Sequence, residues 1–136
     1  MLTPLRDDLM VQQQISGPWQ HMVGVIMLNQ TGRKPVKTVL PEFLSRWPDA
    51  VSYLSSTPEQ VIEVIRPLGF YNRRERTFRR MSEDFLSWDG TDATELYGIG
   101  QYGSESYRIF FLSERFEPQD KELRRYLGYP QLEKAA

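Results

Sequence analysis

Residues 96–110, LYGIGQYGSESYRIF, place three glycines within six positions and then continue as an apolar helical pattern. Gly98 and Gly100 allow backbone torsions and close approaches that a side chain would forbid. The helix after Gly100 begins with N–H groups that have no partner inside the helix. Such a turn can bind a phosphate through its backbone N–H groups, whatever molecule carries the phosphate, so the stretch is a candidate anion site. A plain glycine cap between two helices is the simpler alternative, and the turn alone favours it.

Two further sets of charged residues could act beside such a turn. Asp120 precedes the helical pattern KELRRYL, where an aspartate commonly stabilises a helix N-terminus. A carboxylate can also stabilise positive charge and orient water during bond cleavage. The segment YNRRERTFRR forms either a solvent-exposed helix face or a row of side chains that bind successive phosphates. Its arginines are Arg73, Arg74, Arg76, Arg79 and Arg80.

The composition excludes several other chemistries. The 136 residues contain no cysteine and one histidine, His21. Disulfides, thiolate metal sites and cysteine nucleophiles are therefore excluded, and a histidine metal cluster or a serine–histidine triad is disfavoured. No apolar run reaches the roughly 18 residues of a membrane span, and the N-terminus lacks a signal-type apolar core. We expect an intracellular protein without a membrane partner; its net charge of −1 neither favours nor disfavours nucleic acid.

Helices are predicted throughout the elements that must position these residues. Apolar residues recur at helical spacing in GPWQHMVGVIMLNQT, KPVKTVLPEFLSRWP and YNRRERTFRRMSEDFLSW, and no segment shows sustained strand alternation. Ser56 or Thr57, followed by Pro58, marks a helix start, and Asp49 is expected to cap another helix. Pro41 is expected to kink or interrupt its helix. The length predicts one domain, residues 1–136, built from about eight short helices.

Four segments, in order, resemble the helix-hairpin-helix, or endonuclease III-like, DNA glycosylase superfamily. They are GPWQHMVGVIMLNQT, IRPLGFYNRRERTF, LYGIGQYGSESYRIF and PQDKELRRYL. Within that superfamily, LNQT, PLGFY, GIGQYGSESYRIF and DKEL are most similar to the glycosylase domain of the methyl-CpG-binding thymine glycosylases. The resemblance implies an all-α, two-lobed, endonuclease III-like fold with a helix-hairpin-helix motif. Many members carry a cysteine-held iron–sulfur cluster, and we expect none here because the chain has no cysteine.

The resemblance also implies a reaction. A monofunctional DNA glycosylase of base excision repair would flip thymine or uracil, mispaired with guanine, out of duplex DNA and hydrolyse its N-glycosidic bond. Asp120 would be the catalytic carboxylate, because breaking that bond builds positive charge on the sugar. Relatives that also cleave the strand carry a lysine where this chain has Tyr102, so we expect no lyase activity. Tyr102 would instead line the base pocket, for which Gln12 and Gln13 are further candidates.

The same resemblance assigns DNA contacts. Gln30 would enter the space left by the flipped nucleotide, and Phe70 would be a second wedge beside the opposite base. Arg74 and Arg76 are expected to contact phosphates, Arg74 first because it aligns with the family's basic residue. The hairpin would hold the DNA backbone through Gly98, Ile99, Gly100 and Gln101. We expect a monomer acting on double-stranded DNA without an organic cofactor, although the hairpin carbonyls could hold a monovalent cation.

Several departures from the family pattern leave alternatives open. Gln30 and Phe70 stand where relatives have arginine and leucine, and Glu122 stands where the thymine glycosylases have lysine. A glycosylase for another damaged or modified base therefore remains an alternative. A non-catalytic helix-hairpin-helix DNA-binding module is another, against which Asp120 argues. Without the ordered motifs, Phe70 would be interpreted as a helix-end staple packed into the core and Gln30 as a capping residue.

Overall fold

The computed structural model describes residues 15–29, 31–114 and 116–128, and within these ranges the chain is helical without strands. The helices are α1 (Pro18–Leu28), α2 (Arg33–Arg46), α3 (Ala50–Leu54), α4 (Pro58–Ile65), α5 (Tyr71–Leu86), α6 (Gln101–Phe110) and α7 (Lys121–Leu127). Short 3-10 turns occupy Arg66–Leu68 and Ala93–Glu95. The all-α prediction is confirmed. Across these ranges, no helix is both long enough and apolar enough to cross a bilayer.

Local sequence signals set several helix ends. Asp49 accepts a hydrogen bond from the Ser52 N–H at 2.8 Å, and Thr57 caps α4 in the same manner, with Pro58 next. The predicted interruption at Pro41 is wrong, because α2 continues through it and Pro41 lies on the exposed side. The helix predicted before the glycine turn is only the Ala93–Glu95 turn. There Asp92 accepts the Thr94 N–H at 3.0 Å and caps the start of this turn, which ends at Glu95.

Helix α1 is the centre of the core. All of its residues from His21 to Met27 are buried, because it packs against α2, α5 and α6. A cluster of aromatic rings, with centroids 5.1 to 6.4 Å apart, fills the space between α1, α2, α3 and α5. Its members are Trp19, Phe43, Trp47, Tyr53 and Phe78. This surrounding contact explains why α1 is apolar on every side.

Close packing of α6 brings the C-terminal part of the chain to the core. Gly103 makes this possible, because a Cβ there would lie 2.7 Å from Ile99 Cγ2 and 3.0 Å from Val25 Cγ1 on α1. A second, smaller cluster around Phe110 and Leu123 holds α7 against α6. The start of α7, where Asp120 lies, is thereby placed beside α6.

Candidate functional site

The glycine turn is docked onto α5 at Gly98. This residue has a φ of +84°, and a Cβ there would lie 2.6 Å from Thr77 Cγ2 on α5. Leu96 and Ile99 are buried on either side of it. The Tyr97 N–H donates to the Asp84 carboxylate at 2.9 Å. Gly98 is therefore required by the packing of the turn. The Ile99 side chain is buried and its N–H donates to the Leu96 carbonyl at 3.1 Å, and a contact of Ile99 with DNA stays a prediction.

Gly100 has different surroundings. Its φ is −108°, and a Cβ there would have no atom of residues 15–29, 31–114 or 116–128 within 4 Å, its chain neighbours aside. Gly100 and Gln101 are exposed at the start of α6, a helix of 10 residues whose first-turn N–H groups lack intrahelical partners. Packing within the described part of the chain gives no reason for a glycine at this position, whereas an external group approaching the backbone would.

Exposed arginines form a basic face on α5, and this face begins beside the glycine turn. Arg80 places its guanidinium 4.1 Å from the ring centroid of Tyr97, a 43 % exposed residue beside Gly98. Arg73 and Arg76 are exposed on the same helix. Arg73, Thr77 and Arg80 recur at helical spacing, so they lie along one side of α5. We call Arg73, Arg76 and Arg80 the basic face.

The other two arginines of the run face the protein. Arg79 pairs with Glu75 at 3.0 Å and donates to the Leu54 carbonyl at 3.5 Å, which joins α5 to α3. Arg74 is 5 % exposed, and its guanidinium donates to backbone carbonyls and to Thr31. This burial corrects the prediction that Arg74 is the first phosphate contact, because its donors are directed to groups of the protein.

Phe70 lies exposed beside a shallow cleft between the end of α1 and the start of α5. Its ring is 59 % exposed and its backbone has a left-handed φ of 47°, a conformation that is costly for a bulky residue. The cleft is lined by Ile26, Asn29, Phe70, Arg73, Arg74 and Thr77. The alternative of Phe70 as a staple packed into the core is wrong.

Gln12, Gln13 and Gln30 lie outside the described residues.

Asp120 caps α7, as the simplest interpretation of the sequence predicts. Its Oδ2 accepts the Leu123 N–H at 3.0 Å. The side chain is half-buried rather than fully exposed. Tyr102, in the first turn of α6, packs against the cluster that contains Leu123. The predicted carboxylate and the predicted pocket tyrosine therefore lie at the starts of adjoining helices.

Two buried charges hold the segment before Asp120, and sequence reasoning missed both. Glu105, 8 % exposed on α6, accepts the Asp120 N–H at 2.8 Å and the Gln119 N–H at 2.9 Å. Arg124, 3 % exposed on α7, donates to the Pro118 carbonyl at 2.9 Å. A signal existed for Glu105, since it shares a helix face with Tyr102, three residues before it. Together these contacts restrain the backbone that carries Asp120.

His21 is a core residue rather than part of a catalytic arrangement. It is 1 % exposed, and its Nε2 lies 2.8 Å from Ser106 Oγ. Ser106 donates its proton to the Gly103 carbonyl at 3.1 Å, which assigns the proton of the His21–Ser106 bond to Nε2. Nδ1 has no partner among the described residues. Burial lowers the pKa of His21 to about 3, so the ring is neutral near pH 7.

Comparison with known proteins places this arrangement in a family. Residues 23–133 match the model of the HhH-GPD superfamily base excision DNA repair proteins. Over 124 residues the chain is 27% identical to a methyl-CpG-binding domain protein 4-like protein of Arabidopsis thaliana, covering 90% of this chain and 28% of that one. Over 127 residues it is 26% identical to an adenine DNA glycosylase of Mycobacterium tuberculosis, covering 89% and 42%.

A thymine-DNA glycosylase of Aeropyrum pernix is 29% identical over 92 residues, covering 62% of this chain and 41% of that one. The chain thus spans less than half the length of each of these relatives. The fold matches the trapped endonuclease III–DNA covalent intermediate, an estranged-adenine complex, with a TM-score of 0.69 and 15% identity, over 82% of this chain and 57% of that one. This likeness confirms the predicted endonuclease III-like fold. Together with the family match over most of its length, it shows that the chain belongs to the HhH-GPD superfamily of base excision DNA repair proteins.

Proposed function

We propose that this chain is a monofunctional DNA glycosylase that removes thymine or uracil mispaired with guanine. The observation that carries the proposal is Asp120, a half-buried carboxylate on a restrained backbone at the start of α7, which packs against α6, the helix that begins with Tyr102 in its first turn. The exposed glycine turn leads directly into α6. A helix start that could bind an anion, on a helix packed against the one that Asp120 caps, suits a reaction at a sugar within a phosphate chain.

Base removal requires that the nucleotide leaves the stack. In the proposed complex, the N–H groups at Gly100 and Gln101 hold a backbone phosphate, and the basic face neutralises neighbouring phosphates. Phe70, exposed at the cleft, enters the duplex beside the unpaired guanine. Gln30 follows Asn29, which lines the same cleft, and is proposed to occupy the space that the flipped nucleotide leaves.

The proposed chemistry is hydrolysis at the sugar carbon. The N-glycosidic bond breaks with its electron pair leaving on the base, and the Asp120 carboxylate stabilises the resulting positive charge. Water then bonds to that carbon and gives a proton to the carboxylate. Tyr102 supplies no amine, so no Schiff base forms and the strand stays intact. None of these steps needs an organic cofactor.

A second candidate substrate is another base, adenine included. One relative is named an adenine DNA glycosylase and another a thymine-DNA glycosylase, at similar identities of 26% and 29%. We choose thymine because the hairpin motif and Tyr102 resemble the thymine glycosylases more closely than other members of the superfamily.

A panel of duplex oligonucleotides tests the proposal. Each duplex carries thymine, uracil or adenine opposite guanine, with a fully paired duplex as control, and alkali cleaves the strand wherever a base has been released. We expect cleavage of the G·T and G·U duplexes only after alkali, and no borohydride-trapped adduct. Release of adenine alone would favour the second candidate. Binding without release from any duplex would favour a non-catalytic module.

The basic face should determine the salt dependence of DNA binding. We expect the double variant Arg76→Ala/Arg80→Ala to reduce the slope of log affinity against log salt concentration by about 0.9 for each phosphate that the variant no longer neutralises. Fluorescence anisotropy with a labelled duplex at several salt concentrations measures this slope. Arg46→Ala is the matched control, because Arg46 is an exposed arginine paired with Glu42 on α2. An unchanged slope in the double variant would place the DNA on another face.

Substitutions of the two hairpin glycines, Gly98 and Gly100, should have different effects, one on stability and the other on DNA binding. Gly98→Ala is expected to lower the free energy of unfolding by about 1–2 kcal/mol for the left-handed conformation alone, and further because of the contact with Thr77. Gly100→Ala should leave stability unchanged, since its Cβ meets no neighbouring atom among the residues that the structure describes, but should weaken DNA binding by keeping a phosphate away. Urea unfolding and anisotropy report the two effects. Unchanged DNA binding by Gly100→Ala would contradict the proposed phosphate site.

A further inference from the structure

The C-terminal end of α1 depends on Arg74. The helix ends at Leu28, and the extended backbone of Asn29 after it does not form a glycine-type cap. Carbonyls in the last turn of a helix lack intrahelical donors. Arg74 Nη1 donates to the carbonyls of Ile26 at 3.0 Å and Met27 at 2.9 Å. A cation is favourable at this end of a helix because the aligned peptide dipoles make it negative.

The same guanidinium also binds the turn that carries Phe70. Arg74 Nε donates to the Gly69 carbonyl at 2.9 Å. Gly69 and Phe70 both have positive φ, 76° and 47°. Arg74 Nη2 donates to Thr31 Oγ1, and this hydroxyl donates to the Leu68 carbonyl at 3.4 Å. One side chain therefore joins the end of α1, Thr31 and the turn before α5.

The energetics indicate a specific need for arginine. The guanidinium is 5 % exposed, and burial, aided by repulsion from Arg73, lowers the pKa of Arg74. Burying a charge is costly unless every donor finds a partner. The planar guanidinium directs its donors toward several acceptors at once, which a lysine ammonium cannot do. An aliphatic side chain would fill the space but remove the Arg74 donor from both carbonyls, and among the described residues only the Ile26 carbonyl would keep a donor beyond the helix, the Asn29 N–H at 3.2 Å.

We propose that Arg74 is a positioning residue that fixes Thr31 and the Gly69–Phe70 turn as one unit, so that both sides of the cleft enter DNA together. The inference rests on the proposed glycosylase function, in which Gln30, the neighbour of Thr31, and Phe70 open the base pair. The Phe70 backbone is strained, and the bond from Arg74 to the Gly69 carbonyl opposes its relaxation. Arg74 acts through these residues and does not touch the reacting atoms.

Arg74→Lys tests this role, with Arg79→Lys as the matched control. Both arginines lie on α5 and donate to protein groups, but Arg79 joins α5 to α3 away from the cleft. Three quantities are measured: single-turnover base release from a G·T duplex, fluorescence of 2-aminopurine beside the mismatch as a report of flipping, and affinity for a fully paired duplex. We expect Arg74→Lys to reduce release and flipping about tenfold to a hundredfold while paired-duplex affinity stays within about twofold. Arg79→Lys should change only stability.

Other outcomes would overturn the inference. Parental flipping and release in folded Arg74→Lys would show that the clamp is not needed. An equal loss of affinity for the paired duplex would show that Arg74 contacts phosphate instead. If Arg74→Lys does not fold, Thr31→Val removes one acceptor of the clamp at constant shape and should lower flipping; parental flipping there would also reject the inference. A parent that releases no base would reject the proposed function, whereas 2-aminopurine fluorescence would still test Arg74.

Discussion

Replacing Asp120 with asparagine is expected to slow base release from a G·T duplex by about a hundredfold or more, the scale for losing a preorganised electrostatic partner. The change removes the negative charge that would stabilise the cationic sugar. The fold should be retained, because asparagine is also a good helix cap and can accept the Leu123 N–H. Glu105 would still hold the backbone N–H of residue 120. Single-turnover rates measure the loss, and DNA affinity should survive or increase.

Asp49→Asn is the control for this experiment. Asp49 caps α3 by accepting the Ser52 N–H at 2.8 Å, so the variant makes the same change of charge at another helix start. It should release base at the parental rate. If Asp120→Asn also releases base as fast as the parent, then either the assignment of Asp120 or the glycosylase proposal is wrong.

The second large effect concerns stability in acid. Burial lowers the pKa of His21 from 6.5 to about 3, so the unfolded chain binds a proton in this range that the folded protein excludes. The stability contributed by the neutral ring is fully present above pH 6.5 and is lost as the pH falls toward 3. Each pKa unit corresponds to about 1.4 kcal/mol, so on the order of 3 kcal/mol should be lost by pH 4. This is a large part of the stability of a small domain.

Urea unfolding at pH 7 and pH 4 measures this loss. His21→Gln stays neutral at both pH values and retains a donor that can reach Ser106. Its stability at pH 7 should be lower than that of the parent, but it should fall less between pH 7 and pH 4. Carboxylates contribute alike to both proteins, so the difference between their pH dependences isolates His21. Equal pH dependences would show that His21 is accessible to protons in the folded state.

The sequence by itself determined most of the described helices and the family. Thr57 with Pro58 specifies the start of α4 because capping and the fixed proline torsion act within one turn. The apolar residues Trp19, Met22, Val23, Ile26 and Met27 recur at helical spacing and predict α1 as a helix. Four motifs in order identified the superfamily, and from them came Asp120, Tyr102, Phe70 and the hairpin as candidate site residues. These inferences depend on residues that are close in the chain.

Only the tertiary structure decided which charged residues face the solvent. Five arginines of α5 look alike in sequence, yet Arg74 lies under the end of α1 while Arg76 is exposed. Glu105 accepts a hydrogen bond from the Gln119 N–H, 14 residues later in the chain. His21 is hydrogen-bonded to Ser106, 85 residues away in sequence. A charge can be buried only where distant groups supply its hydrogen bonds and exclude water. Those partners are brought together by the packing of α1, α5, α6 and α7, which local spacing does not specify.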